Sequence, residues 1–218
     1  MRTDPASLVP ELEKMAAEFE GMGRYVMMDG MKTKLMTIEG AAAVKELAEF
    51  LKKQEKLPEL KLAKDLTGYS CAHVKDQGPT GQTGHSATDG TSFGDRIAKL
   101  MKPDFVIGEN ISYGSAKGHD AALQLAIDDG VAGRGHRVNI FKPDYAELGP
   151  CEGTHTGYRN MAVAIYRGPS KGGSTPSMTS SDKGSTGSDT TTKTETTTKT
   201  ETTSSVAGET EEQKQQIL

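Results

Sequence analysis

The chain reads as an α+β domain in which helices pack on a small sheet. Three observations predict this. Met161, Val163 and Ile165 alternate with Ala162, Ala164 and Tyr166, the period of a half-buried strand. Leu8, Leu12, Ala16 and Phe19 recur at helical spacing, and so do Val44, Leu47, Ala48 and Leu51. Helical segments outnumber strands, and the clearest strand pair is joined by a glycine- and threonine-rich turn, so the expected pairing is antiparallel.

Each element follows from local chemistry. Asp4-Pro5 opens a helix, with Asp at the N-cap and Pro in the first turn. Gly21, Gly23 and Gly30 break it, and Met22 to Met36 is irregular. A second helix starts at Thr37 and ends before Pro58, and a third runs from about Leu60 to Gln77. The glycine-rich, polar stretch from Gly78 to Gly94 is a loop. A short helix through Arg96, Ile97 and Leu100 follows, then a strand around Glu109. Lys117 to Asp129 reads as helix, with Leu123, Ala126 and Ile127 inward and Gly130 as its stop. Tyr145 to Cys151 pairs with the last strand through Gly153-Thr154-His155-Thr156-Gly157.

Composition divides the chain. It has 218 residues and a formal net charge of -4. After Tyr166 there is no aromatic residue, and 168–218 is mostly Ser, Thr, Gly, Lys and Glu, with Thr190-Thr-Thr-Lys-Thr-Glu195 repeated once. So little apolar surface cannot offset the entropy of ordering, and this tail is expected to be disordered, a solvated linker. The remaining 167 residues suffice for one domain that buries roughly 70% of its unfolded surface. Neither part is basic, which argues against nucleic acid as a partner. No apolar run approaches the ~20 residues of a membrane-spanning helix. No apolar stretch of the signal-peptide kind follows Met1, so the protein either stays inside the cell or begins here after a removed leader. Cys71 and Cys151 are too few for a disulfide scaffold; they form one bridge or are two buried free thiols, the second being the plainer expectation.

All five histidines lie between His73 and His155. His85 and His136 sit in polar, glycine-flanked segments, Gly84-His85-Ser86 and Gly133-Arg134-Gly135-His136-Arg137, with Gly108-Glu109-Asn110-Ile111 between them. Imidazole titrates nearest neutral pH and is the commonest metal ligand, so one polar site assembled from these three segments is expected. Two histidines and a glutamate are a ligand set of catalytic zinc, which leaves one position for water; without metal, the alternative is a histidine–carboxylate hydrogen-bond network that holds the loops in place. His73 falls on the apolar stripe Leu62, Leu66, Tyr69 and is expected as a satisfied core histidine. His119 and the hairpin residue His155 are expected to be exposed, with the cleft rim as the alternative for His155. Arg134 and Arg137 either pair with a local carboxylate or are solvated. Gly68-Tyr-Ser-Cys-Ala72 lacks the last glycine of a nucleophile elbow, and the glycines at 78, 81 and 84 lack the Gly-Lys-Ser/Thr of a phosphate loop. The sequon Asn110-Ile-Ser112 is expected to be unused.

In this order, the motifs resemble the CAP superfamily (cysteine-rich secretory proteins, antigen 5 and pathogenesis-related proteins), in its compact single-domain SCP-like form. They are Leu57-Pro-Glu-Leu-Lys-Leu through Ala72-His73-Val74, then Gly84-His85-Ser86, Gly108-Glu109-Asn110-Ile111, Ile127-Asp128-Asp129-Gly130-Val131 and Gly135-His136-Arg137-Val138-Asn139-Ile140-Phe141. The match spans 37–167, leaving 1–36 as an N-terminal helical extension and 168–218 as the tail. The resemblance implies a three-layer α-β-α sandwich with a small central antiparallel sheet. It also implies an open cleft lined by His85, Glu109, His136 and a second acid, Asp128 or Asp129, where relatives carry glutamate. The cysteine-rich C-terminal module of animal members is absent, and so are tryptophan and the conserved cysteine pairs.

Three functions follow as expectations. The first is a secreted binding module whose cleft takes Zn2+ or another divalent cation through His85, His136 and Glu109, with a lipid or sterol as a further ligand. The second is a metal-dependent, peptidase-like hydrolase using Glu109, His85 and His136. The third is a structural or adhesive surface protein with the Thr-rich tail as spacer. Binding is favoured over catalysis, because a fold match does not establish turnover.

Overall fold

A computed structural model describes residues 1–22, 25–26, 35–100 and 105–169. The expected disordered tail lies outside them from residue 170 onward, as does most of the irregular stretch between the first two helices. A 3-10 turn, Pro5–Leu8, leads into α1, Val9–Met22. Asp4 stands at the N-cap of the turn but caps it through its carbonyl, which accepts from Ser7 Oγ at 2.7 Å. Two-residue strands β1, Tyr25–Val26, and β2, Leu35–Met36, pair antiparallel. Helix α2 is Ala41–Lys53, β3 is Lys61–Leu62, and α3 is Lys64–Thr80. The third helix therefore runs three residues past Gln77 into the expected loop, through Pro79, and stops on left-handed Gly81. Then come α4, Phe93–Arg96, a 3-10 turn Ala98–Leu100, β4, Phe105–Tyr113, α5, Gly118–Ile127, and α6, Gly135–Ile140. The hairpin β5, Glu147–His155, and β6, Arg159–Pro169, closes the fold.

The sheet order is β3-β5-β6-β4. Its three long strands pair antiparallel, and short β3 joins β5 in parallel. The alternation read in β6 sorts its side chains onto two helix layers. Met161, Val163 and Ile165 pack with Leu66 and Val74 of α3 and with Ile97, Leu100 and Ile111. Tyr166 and Ala164 face Leu12 and Phe19 of α1, Val44, Leu47 and Leu51 of α2, Leu123 and Ala126 of α5 and Ile140 of α6. This is an α+β domain with helices on both faces of one sheet. The N-terminal helix shares the second core, and Leu12, fully buried, contributes about 2 kcal/mol by leaving water. Arg2 ties the chain start to the region after α6: its guanidinium donates to the carbonyls of Pro58, Ile140, Lys142 and Tyr145.

Helix α3 lies against β5 at backbone contact distance. A Cβ on Gly149 would stand 2.3 Å from the Leu66 carbonyl carbon, and one on Gly78 would stand 2.4 Å from the Thr154 oxygen. The same junction carries a disulfide between Cys71 and Cys151, Cα to Cα 5.2 Å, which overturns the expectation of free thiols. Sequence separation hid it, because only the packing of α3 on β5 brings positions 80 apart together.

Strand β4 is a sheet edge, and the outer edge of a strand is an open template for pairing. Side-chain amides cover part of it. Asn139 Nδ2 donates to the Glu109 carbonyl at 3.5 Å, and Gln124 Nε2 donates to that of Tyr113 at 3.3 Å.

Candidate functional site

The site is built around the middle of β4. Ile107, Ile111 and Tyr113 face the α3 layer, and Val106 faces the α1–α2–α5 layer. Alternation therefore sends Glu109 to the α3 side and Asn110 to the other. Each side holds one histidine–carboxylate pair.

On the α3 side, His85 Nδ1 meets Glu109 Oε1 at 2.9 Å. The carboxylate accepts, so Nδ1 is the donor. Glu109 is buried, while the His85 side chain is 47% exposed. Arg96 closes the arrangement: its NH2 reaches both Glu109 oxygens, at 2.7 and 2.9 Å, and the His85 carbonyl at 2.8 Å. Between His85 and Arg96 both oxygens of the Glu109 carboxylate are engaged. Local pattern puts Arg96 on a short helix but carries no sign of this role. The available signal was Ser92-Phe-Gly-Asp95, which the structure forms as a helix start, with Asp95 N donating to Ser92 Oγ. That start fixes where the next residue, Arg96, stands.

The loop bearing His85 is pinned from α3. Gln77 Nε2 donates to the carbonyls of Gly84 and Ser86, each at 2.9 Å, and Asp76 accepts from the amide and hydroxyl of Thr88. His73 Nε2 donates to the Gly84 carbonyl at 3.0 Å, and Tyr113 Oη donates to Gln77 Oε1. His73 is a core histidine as expected, but only half satisfied, because its buried Nδ1 has no partner among the described residues. Burial, with Arg96 nearby, holds its pKa below the ordinary value. His155 corrects the sequence expectation. It is buried against Tyr113 and Tyr158, its Nε2 donates to the Gln82 carbonyl, and its Nδ1 accepts from Tyr158 N. Strand β5 carries it to its last residue, where a reading of Gly and Thr neighbours saw only loop.

On the other side, His136 Nδ1 meets Asp128 Oδ1 at 2.6 Å. Asp128 is buried, and the His136 side chain is 28% exposed. Of the two aspartates, Asp128 pairs with His136, while Asp129 turns away to accept from the amides of Ile38 and Glu39. Asp128, not Gly130, ends α5, in left-handed conformation at φ 56°. Asp tolerates that conformation better than most residues, and the turn aims its carboxylate at the start of α6. There Oδ2 accepts from the amides of His136 and Arg137, so one short side chain caps α6 and holds the imidazole.

Arg134 and Arg137 both pair. Arg137 donates to the Ala126 and Ile127 carbonyls at the end of α5, and Arg134 to that of Asp128. Glu46 of α2 accepts from both arginines, and Glu39, just before that helix, accepts from Arg134. Hydrogen bonding to Arg134 lowers the Glu46 pKa to about 2, and it also holds the Glu39 carboxyl below its ordinary value. His119 is exposed, as expected.

The two pairs are linked through asparagines. Asn110 Nδ2 donates to the His136 carbonyl at 3.0 Å, and Asn139 Nδ2 donates to Asn110 Oδ1 at 2.9 Å. Asn110 is fully buried, so the sequon offers no accessible amide. Among the described residues no hydrogen bond or ion pair joins the two pairs directly, and no group of three or more His, Cys, Asp or Glu side chains is placed to hold a metal ion. A groove of about 460 Å3 opens elsewhere, between α1 and α2, lined by Leu12, Ala16, Ala17 and Ala48 with charged neighbours. No helix among the described residues is long and apolar enough to cross a membrane.

No family model matches the chain, and no curated protein matches it. Solved structures resemble it. An outer surface protein from Borrelia burgdorferi is 17% identical, with a TM-score of 0.43, over 57% of this chain and 88% of that one. An extracellular protein containing a SCP domain from Bacillus anthracis str. Ames is 21% identical, with a TM-score of 0.40, over 58% of this chain. The match spans 37% of the length of the Bacillus protein.

Proposed function

We propose that this chain is an extracellular SCP-like binding module that takes a divalent cation through His85 and His136. One observation carries the proposal. Each of the two imidazoles donates a hydrogen bond from Nδ1 to a buried carboxylate, and among the described residues neither has a partner at Nε2. Metal-ligating histidines use this arrangement, in which a carboxylate fixes tautomer and ring direction and raises ligand basicity. The proposed donor set is two nitrogen ligands, one from each side of edge strand β4, completed by water. The expected set with Glu109 as a third ligand does not fit, because Arg96 and His85 engage that carboxylate. Two protein ligands give weaker binding than the three of catalytic zinc sites. Zinc, when bound, supplies a water of lowered pKa. The chain's own residues orient the two rings and hold their tautomers.

Nothing in the site beyond these rings favours hydrolysis, so binding is the function proposed. The Cys71–Cys151 disulfide supports the extracellular assignment, since such bonds persist in oxidising compartments. Calorimetry with Zn2+ tests the proposal. Weak, one-site uptake by the wild-type chain, abolished in both His85→Ala and His136→Ala, is expected. Equal uptake by wild type and both variants would overturn the assignment.

A further inference from the structure

The ends of α5 and α6 cap each other. Asp128, the last turn of α5, accepts from the amides of His136 and Arg137, placing an anion at the positive end of α6. In return, Arg137 and Arg134 cover three consecutive carbonyls, those of Ala126, Ile127 and Asp128, placing cations at the negative end of α5. This exchange fixes the left-handed turn at Asp128, and with it the carboxylate behind His136.

The arginines do not hold themselves in place. Glu46, on the neighbouring helix α2, accepts from Arg137 NH1 at 2.6 Å and from Arg134 Nε at 3.2 Å and NH2 at 2.5 Å. Glu39 adds two contacts to Arg134 and one to the amide of Gly130. Arg137 also lies over the Phe50 ring of α2, 5.6 Å from its centroid. Glu46 is thus the one carboxylate among the described residues that touches both arginines. Its side chain is 47% exposed, so replacing it leaves no buried void.

We infer that Glu46 is a positioning residue for His136: by holding Arg134 and Arg137 over the end of α5, it sets the Asp128 turn that orients the imidazole. Helix α2 thereby controls the His136 half of the site. The His85 half rests on Arg96, Glu109 and α3, and is independent of α2. The inference uses the proposed cation role of His136 only in one arm of its test.

The test uses the full-length chain, with Glu46→Gln, Glu46→Ala and, as a control, Val44→Ala, which thins the same helix inside the core without touching either arginine. The first readout is ring 15N NMR of metal-free protein. In wild type both His85 and His136 hold the Nδ1–H tautomer. In Glu46→Ala the His136 signal moves toward the Nε2–H form while His85 is unchanged, and Glu46→Gln, which keeps one acceptor, moves it less. Val44→Ala lowers Tm by several degrees and leaves both signals in place. The second readout is Zn2+ affinity, expected to fall about tenfold in Glu46→Ala, the lower end for loss of an outer support. Loss of the zinc arm in wild type itself would count against the cation role and leave the NMR arm standing. An unmoved His136 signal in both Glu46 variants, or an equal shift in Val44→Ala, would overturn the positioning role.

Discussion

Replacing Asp128 separates the three tasks its side chain performs. In Asp128→Ala, α6 loses its cap, worth about 1 kcal/mol. The hydrogen bond from His136 Nδ1 to a charged acceptor goes too, at about 1.5 kcal/mol. A residue without a local acceptor is left at φ 56°, a further penalty of about 1 kcal/mol. The expected loss is therefore about 3–4 kcal/mol. Asp128→Gly removes the same contacts but relieves the backbone, so it should lose about 1 kcal/mol less than alanine. Asp128→Asn keeps the conformational preference and one acceptor oxygen, and gives up either the ring or the amides, for about 1–2 kcal/mol. Urea unfolding of the three variants measures the series, with the slope m held constant as the check that only stability changed. The expected order of damage is Ala, then Gly, then Asn. Glycine as harmful as alanine would refute the backbone argument. Asparagine as harmful as alanine would show that charge, not cap geometry, dominates.

Other parts of the structure make separate predictions. Replacing Cys71 and Cys151 with serine should lower stability by up to about 4.5 kcal/mol, the chain-entropy value for a loop of this separation, read as a lower urea midpoint. Gly149→Ala would press a methyl group onto the Leu66 backbone and should lose more than about 2 kcal/mol by the same assay; a neutral outcome would mean that α3 and β5 are not in backbone contact. The pKa of Glu46 falls from 4.5 to about 2 on folding, so its contribution is complete above pH 4.5 and disappears as pH drops toward 2. Accordingly, Glu46→Gln should flatten the decline in Tm over that window. His73 also has a lowered folded pKa, so the unfolded chain binds its proton first, and stability should fall as pH drops below about 6.5. His73→Gln should remove that component, and an unchanged Tm profile across pH 7 to 5 would contradict the burial argument.

Much of the fold was legible because it rests on local pattern. The alternation of 161–166 marked the last strand, and the stripes of α1 and α2 found their buried faces. Boundaries moved where a signal was ambiguous: Gly78 and Pro79 read as breakers, yet α3 continues through them, because a glycine at 78 is what lets the helix meet the Thr154 backbone. His85, Glu109 and His136 stood out through their glycine-flanked segments. Their supports did not. Arg96 matters only because β4 brings Glu109 to it, and Asp128 differs from Asp129 only through one left-handed turn. His155 is buried by Tyr113 and Tyr158, one of which is 42 positions distant, so its flanking residues carried no sign of it. Partner identity across long separations is tertiary information, whereas period and turn chemistry are local.

In the proposed site, His85 and His136 present their Nε2 atoms to one ion. Crystals of the full chain grown with Zn2+, measured at the zinc absorption edge, test this directly. A single anomalous peak about 2.1 Å from Nε2 of both His85 and His136 is the predicted result. A peak on one histidine alone, or one ligated by Glu109, would contradict it.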